Sequence, residues 1–198
     1  MPLAELPVSP IAALRTAALT PEFETRLQQF YEANPAYFDA VQGEPAGPNE
    51  AHETLHDELP AGWPFTKVWL IGYLDATDSL VAMAHVVSDL LAPGVWHIGL
   101  FIVATARHGS GEAQALYRGL EDWATAHGAR WLRLGVVQGN LRAERFWESL
   151  GYRQVRTRLA VVIGPRSNTL RVMVKPLGDD SLERYLSLVE RDRPEARA

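Results

Sequence analysis

The run Val95–Val103 (VWHIGLFIV) is apolar almost throughout, and a short loop holding Gly109 and Gly111 links it to a segment of helical period. A strand with two apolar faces belongs inside a sheet, covered on both sides. A helix that follows it directly must pack back over that sheet. The glycines add a chemical constraint. A glycine-rich turn between a strand and a helix lets the main chain come close to an anion, and the unpaired N–H groups of the first helical turn point at it, aided by the helix dipole. A pyrophosphate is the natural guest, since Gly109 and Gly111 place no side chain in its way. By itself, Gly-x-Gly at a helix start is also ordinary turn chemistry.

The neighbouring segments extend the pattern. Ala113, Leu116, Tyr117, Leu120, Ala124 and His127 recur at helical spacing, and Gly128 stops the helix. Arg130–Val137 alternates: Leu132, Leu134 and Val136 share a face, while Trp131 and Arg133 point away. Asn140 is placed to cap a second helix carrying Ala143, Phe146, Trp147 and Leu150, with Gly151 closing it. Upstream, Val68–Leu74 and Leu80–Val87 flank Asp-Ala-Thr-Asp-Ser and read as a hairpin. Downstream, strands near 152–163 and 169–175 flank the turn Gly164-Pro165-Arg166-Ser167-Asn168, and a short helix around 181–190 precedes a frayed tail.

At the start, residues 11–18 form a weakly defined apolar segment. Thr20-Pro21 open a helix with Phe23, Leu27, Phe30 and Tyr31 on one face; 41–48 is a loop, and Asn49 caps a short helix ending before Pro60. The order predicts an α+β fold in α/β/α layers, with a mixed, mostly antiparallel sheet in one domain over residues 1–198. Net charge is −5 and no Lys/Arg run occurs, which argues against a nucleic-acid partner. With no Cys, disulfides, thiolate zinc sites and a Cys nucleophile are excluded. No apolar stretch reaches membrane-span length, and the proline-broken start lacks a basic signal-peptide region, so a cytoplasmic protein without a membrane partner is expected.

Several spaced elements together resemble the GNAT superfamily of N-acetyltransferases. The family's coenzyme motif is Arg or Gln, two residues, Gly, one residue, then Gly or Ala, after a strand reading L-x-V. Phe101-Ile102-Val103 stands at the strand positions, and His108-Gly109-Ser110-Gly111-Glu112-Ala113 at the loop. The family's later Asn-x-x-Ala-x-x-Phe-Tyr and Gly-Phe are matched by Asn140-Leu141-Arg142-Ala143-Glu144-Arg145-Phe146-Trp147 and Gly151-Tyr152. The resemblance covers about residues 66–175. It implies an acetyl-CoA-dependent N-acetyltransferase, with no metal. Residues 66–175 would form the sheet and coenzyme core, helices within 20–60 the acceptor side, and 180–198 a C-terminal helix and tail.

Carried over by residue, the resemblance implies that parallel strands 95–103 and 130–137 splay to admit the coenzyme. Main chain at Phe101, Ile102 and Val103 would pair with pantetheine. The amides of His108, Gly109, Ser110, Gly111, Glu112 and Ala113 would hold the pyrophosphate, and Asn140 would bond the pantetheine chain while also capping its helix. Arg142 and Arg145 could meet the 3′-phosphate, although solvated helix-face arginines explain them as well. Three positions depart from the pattern: His108 replaces Arg or Gln, Glu112 replaces an apolar residue, and Trp147 replaces the tyrosine often used as general acid, which leaves the acid unassigned.

The implied reaction is direct attack by a primary amine of a small molecule or peptide on the thioester, with an N–H near Val103 stabilising the oxyanion. His97 stands where many relatives place a base-like Glu, and simple alternation puts it on the face of Phe101 and Val103; a half-buried structural histidine is the alternative. Asp89 is the second candidate base, against a plain turn aspartate. His85 reads as structural. By fold analogy, Tyr37, Phe38 and Glu44 would wall the acceptor pocket. An outward apolar face would suit a homodimer.

Two other readings compete. His52-Glu53-Thr54-Leu55-His56 fits H-E-x-x-H of zinc proteases, but its flanks are polar and its helix is short. Asp75 and Asp78, at third-ligand distance in sequence, fall in a hairpin turn, so a solvated helix is expected. The other is a non-catalytic module that holds acyl-CoA. No G-x-S-x-G occurs, which leaves a serine hydrolase unsupported.

Overall fold

The computed structural model describes residues 5–196. Among them, seven strands form one sheet: β1 (Arg15–Ala18), β2 (Lys67–Leu74), β3 (Leu80–Ser88), β4 (Val95–Val103), β5 (Trp131–Val137), β6 (Arg153–Ile163) and β7 (Arg166–Pro176). They lie side by side in the order β1-β2-β3-β4-β5-β7-β6, so the apolar β4 is central as its composition predicts. Every pairing is antiparallel except β4 with β5, which α4 (Glu112–Ala126) joins as a crossover.

Helices cover both faces. On one, α4 and α5 (Leu141–Ser149) bury Leu116, Tyr117, Leu120 and Trp147 against Ile71, Ile98, Leu132 and Leu134. On the other, α1 (Glu24–Glu32), α2 (Pro35–Val41) and α3 (Glu50–His56) pack Leu27, Phe30, Tyr31 and Phe38 on Met83 and Ile102. Farther along that second face, α6 (Leu182–Leu188) sets Tyr185 among Trp131, Val172 and Val174. These are the expected α/β/α layers.

Several local expectations change. Residues 15–18 form the edge strand β1, paired with β2 from Arg15↔Leu74 to Ala18↔Ile71. Pro21–Phe23 form a 3-10 turn, so α1 begins at Glu24 and not at Pro21, and α2 is an additional helix opened by Asn34-Pro35. Neither Thr20 nor Asn49 makes a side-chain cap, whereas Asn140 accepts from the Ala143 N–H as predicted. The β6–β7 turn is shorter than 164–168: Ile163 pairs with Arg166, leaving only Gly164 and Pro165 to turn.

The feature that shapes the cleft is a bulge. On β3, His85 pairs with Leu100 and Val86 with Ile98, so Gly99 has no partner of its own. A Cβ at Gly99 would fall 2.5 Å from His85 Nδ1, so the imidazole occupies the space a side chain would need. The extra residue reverses the alternation. Trp96 and Ile98 share the α4–α5 core with Phe101 and Val103. His97, between Trp96 and Ile98, falls on the opposite face, with Leu100 and Ile102. The expectation that His97 shares a face with Phe101 and Val103 is thereby corrected.

Candidate active site

β4 and β5 pair from Val95↔Trp131 only as far as Ile98↔Leu134. Beyond that point β4 continues to Val103 and β5 to Val137 without pairing to each other. The parting strands open a cleft of about 660 Å³ lined by Phe101, Val103, Leu134, Val136, Asn140, Phe146 and Trp147, and reaching Gly109 and Gly111. On the second face it continues to Tyr37, Trp63, His97, Arg133, Arg158 and Leu170. One opening thus joins the helix-covered side to the side under α1–α3.

The ladder dictates which β4 groups face this opening. Ala104 N–H donates to the Val81 carbonyl at 2.8 Å. Alternation along an antiparallel pair therefore directs the Ile102 amide and carbonyl to β3, and those of Phe101 and Val103 to the cleft. Ile102 contributes its side chain as wall and not its peptide groups, which corrects its assignment as a main-chain contact.

The glycine loop has the geometry for an anion. Gly109 and Gly111 adopt φ of 82° and 84°, where a side chain is strained, and a Cβ at either would meet nothing within 4 Å. Among the described residues, the amides of Gly109, Ser110, Gly111 and Ala113 donate to no protein acceptor. They precede or open a helix of 15 residues, so the loop suits a diphosphate. His108 is different: its N–H donates to Thr105 O at 3.1 Å, and its ring Nε2 lies 2.8 Å from Val103 O. Because its amide is already engaged, His108 fixes the loop to the strand end and does not join the row of free donors. Ser110 Oγ donates to Arg107 O at 2.7 Å, and the Glu112 N–H donates to that hydroxyl at 3.3 Å. The Glu112 carboxylate turns to Arg107 Nη1 at 2.8 Å, so its charge is neutralised away from the loop.

Asn140 Oδ1 accepts from Ala143 N–H at 3.2 Å, which leaves its Nδ2 protons available to the cleft it lines. Arg142 lines the cleft as well, while Arg145 is exposed on α5. Trp147 stacks edge-on with Phe101, Tyr117 and Tyr152. The phenols of that cluster bond to each other at 3.1 Å, and Tyr117 also bonds Glu121. Burial pushes both phenols up, away from acid work near neutrality.

His97 lies at the closed end of the cleft, where its Nδ1 is 3.1 Å from Arg133 O and 3.3 Å from Arg133 Nη1. We assign the Nδ1 proton to the shorter, carbonyl contact, which leaves Nε2 with a lone pair. Burial, then the Arg133 charge, pull its pKa down to about 3, so the ring is neutral under ordinary conditions. Asp89 is not brought to the cleft. Its Oδ1 accepts from Gly94 N–H at 2.7 Å and its Oδ2 from Thr66 Oγ1 at 2.8 Å. Both oxygens hold the β3–β4 turn, which corrects its candidacy as a base. Among the expected wall residues Tyr37 lines the cleft, whereas Phe38 is buried in the core and Glu44 is exposed.

Sequence reading missed a buried ion network behind His97. Arg133 grips Asp192 through Nε at 2.6 Å and Nη2 at 3.1 Å. Tyr185 donates to the same carboxylate at 2.5 Å, and Arg158 Nη2 approaches at 3.4 Å. The signal was Arg133 inside the otherwise apolar strand Trp131–Val137; its partner, 59 residues on, had none.

His52 and His56 stack at 4.2 Å on the surface of α3, with Glu24 of α1 3.0 Å from His52 Nδ1. These three could together approach a metal ion, but Glu53 is not among them. Asp75 instead accepts from Thr77 and Ser79, and Asp78 pairs with Arg15. The protease geometry is therefore not formed.

The model of the Acetyltransferase (GNAT) family matches residues 22–152. A GCN5-related N-acetyltransferase from Kribbella flavida is similar at 25% identity and a TM-score of 0.60, covering 83% of this chain and 98% of that one. An acetyltransferase from Thermus thermophilus is similar at 22% identity and a TM-score of 0.63, over 84% and 99%. A spermidine N-acetyltransferase from Vibrio cholerae, solved with CoA and spermine, shares the fold at 16% identity and a TM-score of 0.62, over 84% and 96%. No curated protein sequence matches the chain. With two thirds of its length matching the family model and its central strands parted around a donor-lined loop, this chain belongs to the GNAT acetyltransferase family and is a GNAT-type N-acetyltransferase.

Proposed function

We propose that the chain transfers an acetyl group from acetyl-CoA to a primary amine by direct attack. The observation that carries this is the end of β4–β5 pairing at Ile98↔Leu134, which opens a cleft running from the unpaired loop amides to the second face. The amides of Gly109, Ser110, Gly111 and Ala113 would hold the diphosphate. The peptide groups of Phe101 and the Val103 carbonyl would pair with pantetheine as an added strand, and Asn140 Nδ2 would bond its amides. Acetyl-CoA supplies an activated thioester carbonyl.

The new N–C bond forms as the C–S bond breaks, with sulfur leaving as a thiolate. The Val103 N–H faces the cleft and is the donor we place on the carbonyl oxygen as charge develops there. His97 Nε2 is a neutral acceptor, suited to orient the amine or a water that removes its proton. With a pKa of about 3 it is too weak to store that proton, which passes on to solvent. The Trp147 indole N–H is far too weak an acid to give up its proton, so the thiolate leaves unassisted by that cluster, as its modest basicity allows.

The test is an acetyl-CoA thiol-release screen against pooled small amines and peptides, alongside calorimetric titration of acetyl-CoA. Acetyl-CoA binding with amine-dependent thiol release is expected. Binding without release across the panel would favour a non-catalytic acyl-CoA module. Amides 109–113 unmoved by millimolar coenzyme A would remove the basis of the proposal.

A further inference from the structure

Two guanidinium groups line the second-face end of the cleft, and two more stand close behind them. Arg133 of β5 and Arg158 of β6 line it directly. Arg156, on the same strand as Arg158, donates to the main-chain carbonyls of Arg191 and Ala196. Arg191 lies 4.0 Å over the ring of Trp63, itself a lining residue. Asp192 is the carboxylate that Arg133 and Arg158 share, at 2.6 Å and 3.4 Å, and it is fully buried behind them. One negative charge against four positive ones leaves this end of the cleft strongly cationic.

The arrangement is also short of acceptors. Among the described residues, Arg158 Nε and Arg191 Nε are buried without a hydrogen-bond partner. Buried donors of this kind are costly to leave unmatched, and charged ones more so. Arg133 spends Nε and Nη2 on Asp192, and its Nη1 lies beside His97 Nδ1, which we assign as protonated and which therefore cannot accept. The site thus offers cationic donors next to the neutral His97, and among the described residues no acidic side chain lines the cleft to receive an amine cation.

We propose that the acceptor is a small amine bearing a carboxylate, of the amino-acid type. Its carboxylate sits against Arg158 and Arg133, its apolar part against Trp63 and Leu170, and its amine points between β4 and β5 toward the thioester. This deepens the acetyltransferase reading and rests on it. The same field repels polycations, so a polyamine is a poor substrate here. A field that holds the carboxylate also disfavours the ammonium form of the acceptor, which aids loss of the proton that must leave before attack.

The test compares three probes in the thiol-release assay: pooled proteinogenic amino acids, the pool of their decarboxylated amines, and spermidine. Amino acids are expected to exceed their decarboxylated counterparts in kcat/KM by about 10- to 100-fold, the worth of a charge-assisted pair. Arg158→Gln should cut that ratio about tenfold through KM, and Arg158→Lys should recover part of it. Equal rates for the first two pools, or preference for spermidine, would overturn the proposal.

A binding arm separates this from failure of the acetyltransferase reading. Quenching of tryptophan emission by amino acids but not by decarboxylated amines, lost in Trp63→Phe, supports the anion site even without turnover. Equal binding of both pools counts against it. Absence of acetyl-CoA binding in calorimetry counts against the acetyltransferase reading alone.

Discussion

Replacing Asp192 by Ala tests whether the ion network behind the cleft is held as the structure implies. The carboxylate is fully buried and accepts two hydrogen bonds from Arg133 and one from Tyr185. Removing it strands the guanidinium of Arg133, itself only 5% exposed, next to three more arginines. Breaking a buried pair from one side costs about 3–5 kcal/mol. In a chain of this size each kcal/mol lowers Tm by about 2–4 °C, which gives an expected drop of about 6–20 °C. The assay is thermal unfolding followed by circular dichroism at pH 7. The double variant Arg133→Met/Asp192→Leu should recover most of the loss, because it leaves no unpaired charge inside. The pH dependence gives a second reading. Burial alone would raise the Asp192 carboxyl, but the Arg133 hydrogen bonds and charge outweigh it and hold the folded-state pKa below the usual value. Its contribution is therefore present above the unfolded value of about 4 and is lost as pH falls through the folded one. The Tm gap between wild type and Asp192→Ala should narrow only in that acid range. A fall of under about 2 °C at pH 7, the range of an ordinary surface change, would refute the reasoning.

Three further outcomes are expected. Gly111→Ala forces a side chain into φ of 84°, costing about 1–2 kcal/mol, and should raise the acetyl-CoA dissociation constant by about tenfold in calorimetry; unchanged affinity would mean the loop is not the diphosphate site. Gly99→Ala should lower Tm, and His85→Ala should relieve part of that loss, because the added methyl would lie 2.5 Å from His85 Nδ1; strictly additive effects would deny the contact. His97, with a folded pKa of about 3 against an unfolded value of about 6.5, binds fewer protons when folded. It should therefore cost stability as pH falls below that unfolded value, and show no ring titration above pH 5 by NMR; a ring pKa near 6.5 would contradict its burial.

Much of the architecture is written in local chemistry. The run Val95–Val103 is too apolar for an edge, and it lies fourth of seven strands. The α4 stripe at Leu116, Tyr117, Leu120 and Ala124 is buried as its spacing predicts. α2 was missed because a helix of seven residues after Asn34-Pro35 has too few turns to display a period. β1 has four residues, and pairing along one edge of β2 is what makes it a strand.

What the sequence by itself determined are the features set within one segment: strand and helix periods, the glycines that permit positive φ at 109 and 111, and the cap at Asn140. What only the tertiary structure decided are relations between segments. The face on which His97 falls depends on Gly99 being skipped in its pairing with β3, a register fact that no alternation along β4 can reveal. The cationic floor depends on β5, β6 and the C-terminal turn bringing Arg133, Arg158, Arg191 and Asp192 together. Chain neighbours fix dihedral preference and period, whereas the pairing of distant strands fixes which charges share a cavity and which donors remain unmatched.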